Sequence, residues 1–283
     1  MTIMNTLKIW FGAVANTITN FGALLIFASI YAALLFASYL FISVREATIW
    51  QVLVTYALMI LIPLGFFALQ SSIINRALDQ KFRWRVILID ALKFLAVTIP
   101  VLLVVWLLFY LLNKISVRYP APVLEVPPVD KAAAPPVPPL HWPSLLFSTL
   151  RFVLWGVAFP LAAIHLWIAV AGGEVRTLFG GGLKRFFKHI GSASARAFSS
   201  HSVLIYGLGL IIFIVLPYII LMPAFTVTGN KTEFAVFGLR LVLAFVFSLV
   251  GWVSTLNALA RSATDLPSEA PASSVALPTE SAA

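Results

Sequence analysis

Few residues in this chain combine a reactive side chain with an apolar setting. His165 lies five residues after Pro160, between Ile164 and Leu166. An imidazole there can relay a proton or hold a ligand, or it can sit as a neutral ring bonded to a helix carbonyl. Arg151 and Arg240 each lie inside an apolar stretch, roughly 9–10 Å from its start at the helical rise. Such arginines either reach back to headgroup level along their own stems or form a paired site for an anion or a lipid phosphate. Asp90 and Lys93, at i and i+3, can pair on one helix face or pass a proton or ion. Pro63, Pro100, Pro160 and Pro217 interrupt four apolar stretches. Each removes a backbone N–H and frees a carbonyl, a device used at transporter substrate sites and also for plain packing.

Beyond these, the motifs of enzymes are missing. The glycines at 180–182 are not followed by the Lys-Ser/Thr of a phosphate-binding loop, and neither HExxH nor GxSxG occurs. His141, His189 and His201 have no ligand spacing, and there is no acidic metal cluster. The chain has 0 cysteines, so thiolate metal sites, disulfides and Cys nucleophiles are excluded. The expectation is a protein that is not an enzyme and has no cofactor and no metal.

The elements that must position these residues follow from composition. Apolar residues make up 61% of the 283 and charged ones only 10%, against about 25% charged in a soluble domain. A chain this apolar cannot cover a surface facing water. Six segments reach the ~20 apolar residues that hydrocarbon requires: 21–42, 50–70, 86–112, 144–171, 203–222 and 234–259. Backbone in lipid must satisfy its own polar groups. The segments lack the short alternating strands of a barrel, so the expected fold is all-α, a polytopic bundle of six transmembrane helices spanning residues 21–261. The first segment is too long, and too poorly preceded by basic residues, for a cleavable leader.

Lysine and arginine set the orientation. With the N-terminus cytoplasmic, twelve of the 19 basic residues fall inside and seven outside; without Lys93, Arg151 and Arg240 the division is eleven to five. Both termini are therefore expected in the cytoplasm, and a bacterial inner membrane fits the short loops and the basic inner face. The formal charge of +9 then belongs to membrane headgroups. A nucleic-acid partner would need a basic face on a soluble domain, and there is none.

Residues 1–20 carry Met4, Leu7, Phe11, Val14 and Ile18 on one helical face, the pattern of an interfacial helix. The inner loop 172–202 holds a second amphipathic pattern. Leu183, Phe186, Phe187 and Ile190 recur at i, i+3, i+4 and i+7, while Lys184, Arg185 and Lys188 occupy the other face. These three basic residues are candidates for anionic headgroups or for docking a partner. The outer loop 119–143 includes a stretch from Pro120 to Pro143 in which nine of 24 residues are proline. It is expected to run as an extended strap. Residues 262–283 read as a disordered tail.

Two further patterns concern packing. Ser29, Ala33 and Ala37 on the first span and Gly251, Thr255 and Ala258 on the sixth form small-residue stripes, with Gly207 and Gly209 adding to the fifth. A faint repeat relates the proline-bearing hairpin of spans two and three to that of spans four and five. The functional expectation is a non-catalytic membrane module: an assembly, scaffold or regulatory component with a membrane-protein partner or a homo-oligomer. The alternative is a permease or lipid-handling transporter with a site among the kinked helices, served by His165, Arg151 and Arg240.

Overall fold

The structure, a computed structural model, describes residues 3–45, 47–80, 83–120, 140–173, 191–192, 195–222 and 230–265. All regular structure among them is helical. Helix α1 (Ile3–Thr19) is followed by α2 (Phe21–Ser43), α3 (Ile49–Ala77), α4 (Trp84–Ser116), α5 (Trp142–Ala171), α6 (Ser200–Leu221) and α7 (Asn230–Asp265). The last six are long and apolar enough to cross a bilayer. They match the six expected segments and extend beyond most of them. Helix α3 runs on to Ala77, past the expected end of the second segment at 70, and α7 continues to Asp265, into the segment expected to be a tail. The proline-rich 121–139, the loop residues Lys184, Arg185 and Lys188, and everything beyond Asp265 lie outside the described residues.

Local signals account for several helix ends. Thr48 and Gln51 form a reciprocal capping box at the start of α3. His141 caps α5 ahead of Pro143, and the Ser199 hydroxyl accepts from the Ser202 N–H at the start of α6. At its other end α3 closes in a Schellman motif: Gln80 N–H reaches the Asn75 carbonyl and Asp79 N–H that of Arg76. Asp79, at φ 54°, holds the left-handed position that glycine usually takes.

Cross-ties define the two ends of the bundle. At one end, here the near end, lie α1, the starts of α2, α4 and α6, and the ends of α3, α5 and α7. Gln80 Nε2 donates to the Ala171 carbonyl, Asn75 Nδ2 to Asp90, and Asn257 Nδ2 to Thr17 Oγ1; the Thr6 hydroxyl meets the His201 ring. At the far end, Arg151 Nη2 donates to Ser116 Oγ, and Tyr119 lies against Phe147.

The core sits almost wholly at the near end. Most buried residues come from the last half of α3 and α7, the first half of α4 and α6, and the stretch Leu161–Ala171 of α5. Helix α5 is central: half of its most apolar window is buried, against 6% for α2. Trp167 organises this core, stacking on Phe94 at 13° and meeting Phe66 and Phe67 edge-on, with its indole N–H donated to Thr98 Oγ1 at 2.8 Å. Its apolar area and its satisfied N–H both favour the packed state. Toward the far end the helices leave Leu103, Trp106, Leu107, Leu239 and Val242 exposed.

The small residues of α6 and α7 act as expected, in part. A Cβ on Gly209 would fall within 2.0 Å of Thr255 Oγ1, and one on Gly251 within 2.8 Å of the Phe213 backbone nitrogen. Gly207 faces open space. On α2 the stripe is not used within the chain: Ser29 and Ala33 are exposed, and Ala23 and Phe27 make the buried contact instead.

Helix α1 meets the bundle through one face and leaves another open. Met4, Phe11 and Ile18 are 65%, 62% and 56% exposed, while Thr6, Trp10, Ala13 and Thr17 are buried against α6 and α7. The apolar face read from the sequence is therefore not the face that holds α1 to the bundle. The two faces lie roughly 100° apart around the helix.

Candidate functional site

Two of the four proline breaks, the first places to look for a transport site, are occupied. Five-residue π-helical turns, Leu154–Ala158 and Ile211–Val215, precede Pro160 and Pro217. A π turn widens the helix where the proline ring would collide with the preceding turn. Each proline also leaves the carbonyl four residues earlier without its usual N–H. For Pro160 that carbonyl is Gly156, and Tyr206 Oη donates to it at 2.9 Å. For Pro217 it is Phe213, and Ser248 Oγ donates to it at 3.2 Å. Both freed carbonyls thus accept from a hydroxyl on the next helix. Pro63 and Pro100 interrupt α3 and α4 without a π turn.

This pattern does not follow the expected repeat. Both π turns fall in the second hairpin, on α5 and α6, with no counterpart on α3 and α4. The two hairpins also pack differently: α3 packs chiefly on α4, whereas α6 packs mainly on α7 and touches α5 little.

His165 is buried in the near-end core, on the fully packed stretch Leu161–Ala171. Its Nε2 has no hydrogen-bond partner. His165 does not line the near-end cavity described below. Arg151 is half-buried; its Nη2 bonds Ser116 at the end of α4, and its Nε is unpartnered. Arg240 is half-buried on α7. The segment of α5 that carries Arg151 lies against α4, and α7 meets α5 mainly through Phe159–Ala171. The three expected site residues are therefore not drawn into one site.

Asp90 and Lys93 do form the expected pair, Nζ to Oδ1 at 2.9 Å. The pair reaches further than its own helix, since Asn75 of α3 donates to the other Asp90 oxygen at 3.2 Å and to Ser71 Oγ at 3.2 Å. Asp90 is buried and Lys93 one-third exposed. The carboxylate accepts from both helices, which suits a latch between α3 and α4.

A cavity of about 260 Å³ opens instead at the near end, where α1 meets α2 and both meet the ends of α3 and α7. Two of its walls run from polar to apolar. On α7 the order is Arg261, Asn257, Val253, at helical spacing of four; on α2 it is Asn20, then Ala23 and Leu24, then Phe27. Arg76, Asp79 and Gln80, from the Schellman turn of α3, close the polar side. Sequence reading missed this place, since its residues come from four separate segments. The one local signal is the Val253–Asn257–Arg261 face on the last span.

Comparison with known proteins finds no matching family model, no matching curated protein and no matching solved structure.

Proposed function

We propose that the protein is a non-catalytic multi-pass membrane module, an assembly, scaffold or regulatory component with both termini on the cytoplasmic face of a bacterial inner membrane. The observation that carries this reading is the use of the proline-freed carbonyls inside the bundle. Tyr206 and Ser248 satisfy the groups that a translocated substrate would need. His165 is packed among apolar neighbours on α5, which suits a structural residue better than a relay. The far halves of the helices supply the surface for partners. They are apolar and uncovered by this chain, and the exposed Ser29 and Ala33 allow close approach of another helix. Helix α1, with one face on the bundle and the next apolar and open, suits a helix lying in the interface. The basic residues Lys184, Arg185 and Lys188 are the docking or headgroup-binding elements on the cytoplasmic side.

Native mass spectrometry of the protein released gently from its own membrane tests the reading. A stoichiometric protein partner, or a second copy of the chain, is expected. A lone chain whose purified form moves a solute across a vesicle wall, with that flux lost in His165→Ala, overturns it in favour of a permease. Orientation is checked separately, because the chain has no cysteine. A cysteine at Ala133 is expected to label from outside the cell and one at Ser194 is not.

A further inference from the structure

We propose that the near-end cavity binds the phosphodiester headgroup of one membrane phospholipid, with Arg76 and Arg261 on the phosphate and Asp79 accepting from the headgroup's hydroxyl or ammonium. This goes beyond the module reading and does not depend on it.

Three observations support it. The cavity, at about 260 Å³, has room for a group several times the size of water. Its charge is mixed in a particular way, with two guanidinium groups and one carboxylate. Guanidinium offers the paired N–H geometry that phosphate oxygens accept. Thirdly, polarity falls with depth on two independent walls. From Arg261 to Val253 and from Asn20 to Phe27 the lining changes from charged or amide to aliphatic and aromatic over roughly 10–12 Å of helix. Those walls run in opposite chain directions yet share the gradient. It matches an amphiphile with its headgroup at the rim and the start of its acyl chains below, and does not match a small soluble anion.

The α3 turn adds a conformational clue. Asp79 occupies a left-handed position where an L side chain is disfavoured, and glycine would be unstrained. A carboxylate kept at such a place is consistent with a use for the side chain. Gln80, next to it, is tied to the Ala171 carbonyl, so the turn is fixed to the end of α5.

The test uses the full chain in mild detergent, titrated with phosphatidylglycerol, phosphatidylethanolamine or the matching diacylglycerol and read by native mass spectrometry. One tightly held phospholipid per chain is expected, with no retention of diacylglycerol. Arg76→Gln is expected to weaken retention about ten-fold, the usual scale for one charged contact, while Arg85→Gln, also exposed but outside the cavity, leaves it unchanged. Arg76 is exposed, so this variant is expected to keep the wild-type melting temperature. Asp79→Gly relieves the backbone and is expected to melt no lower than wild type while losing headgroup discrimination. Equal retention by wild type and the Arg76→Gln, Arg261→Gln double variant overturns the proposal, as does equal retention of diacylglycerol. Displacement of the lipid by glycerol 3-phosphate at equal concentration would assign the cavity to a soluble phosphate and overturn the lipid assignment.

Discussion

The near and far halves of this bundle are built from the same helices, yet they obey different packing rules. At the near end α5 is buried along almost all of Leu161–Ala171, and the indole N–H groups of Trp167 and Trp252 are satisfied by Thr98 and Gln70. At the far end the same helix exposes Leu146, Phe152 and Val153. Hydrophobicity cannot produce this difference, because lipid is as apolar as leucine. Shape and polar ties produce it. The near end holds the interhelical hydrogen bonds of Asn75, Gln70, Gln80 and Asn257, and small residues let backbones approach there. The far end has the Arg151–Ser116 tie and mostly large side chains. The lesson is that polar and small residues, not apolar ones, decide which faces of these helices meet.

The sharpest way to break the comparison is to spoil the closest approach. Gly251→Val puts a side chain 2.8 Å or less from the Phe213 backbone nitrogen, which cannot swing aside. A loss of about 3 kcal/mol or more is expected, at the upper end of overpacking effects. It is read as loss of the monodisperse species and a lowered melting temperature in detergent. Gly207→Val on α6, where there is open space, is expected to change little. Next in size is Leu256→Ala, at 0% exposure on the near half of α7. It should cost about 2–4 kcal/mol through lost contacts and a residual cavity.

The sequence made the six helices legible because hydrocarbon thickness imposes a length that composition reveals directly. It also disclosed the Gly251–Thr255 face and the Asp90–Lys93 pair, since both are set by helical spacing alone. It did not disclose which face of α1 is held, because in lipid an apolar face and a buried face are different things. Thr6 and Thr17 are buried there while Met4 and Phe11 are exposed. Nor could it disclose the partners of Gly156 and Phe213. A proline announces that a carbonyl is freed, but the hydroxyl that answers it lies 50 residues away for Tyr206 and 35 for Ser248. The near-end cavity was hidden for the same reason, being assembled from four segments.

The proline carbonyls sharpen the comparison on a smaller scale. Tyr206→Phe removes the donor to Gly156 and leaves that carbonyl without it, which should cost about 1–2 kcal/mol. In a Pro160→Ala background the restored N–H at position 160 can reach Gly156 itself. The same Tyr206→Phe change is then expected to cost about 0.5 kcal/mol or less, so the double-mutant cycle gives a coupling of about 1 kcal/mol. A cycle with no coupling would mean that Tyr206 holds α6 to α5 by its ring alone.

The smallest expected effect is at the far end of α7. Leu239 is 60% exposed, so in detergent Leu239→Ala removes few protein contacts and should shift stability by no more than about 0.5 kcal/mol. On the same helix Leu256→Ala is expected to cost several times as much, and the ratio measures how unequal the two halves are. The environment matters to this comparison. If the far halves receive a partner helix or a second copy, Leu239 is covered in the native membrane, and the variant should lower the yield of the complex while leaving the melting temperature of the isolated chain unchanged. A Leu239→Ala chain that melts as far below wild type as Leu256→Ala does would mean that the far half closes on itself in solution, and the division between the two ends would fail.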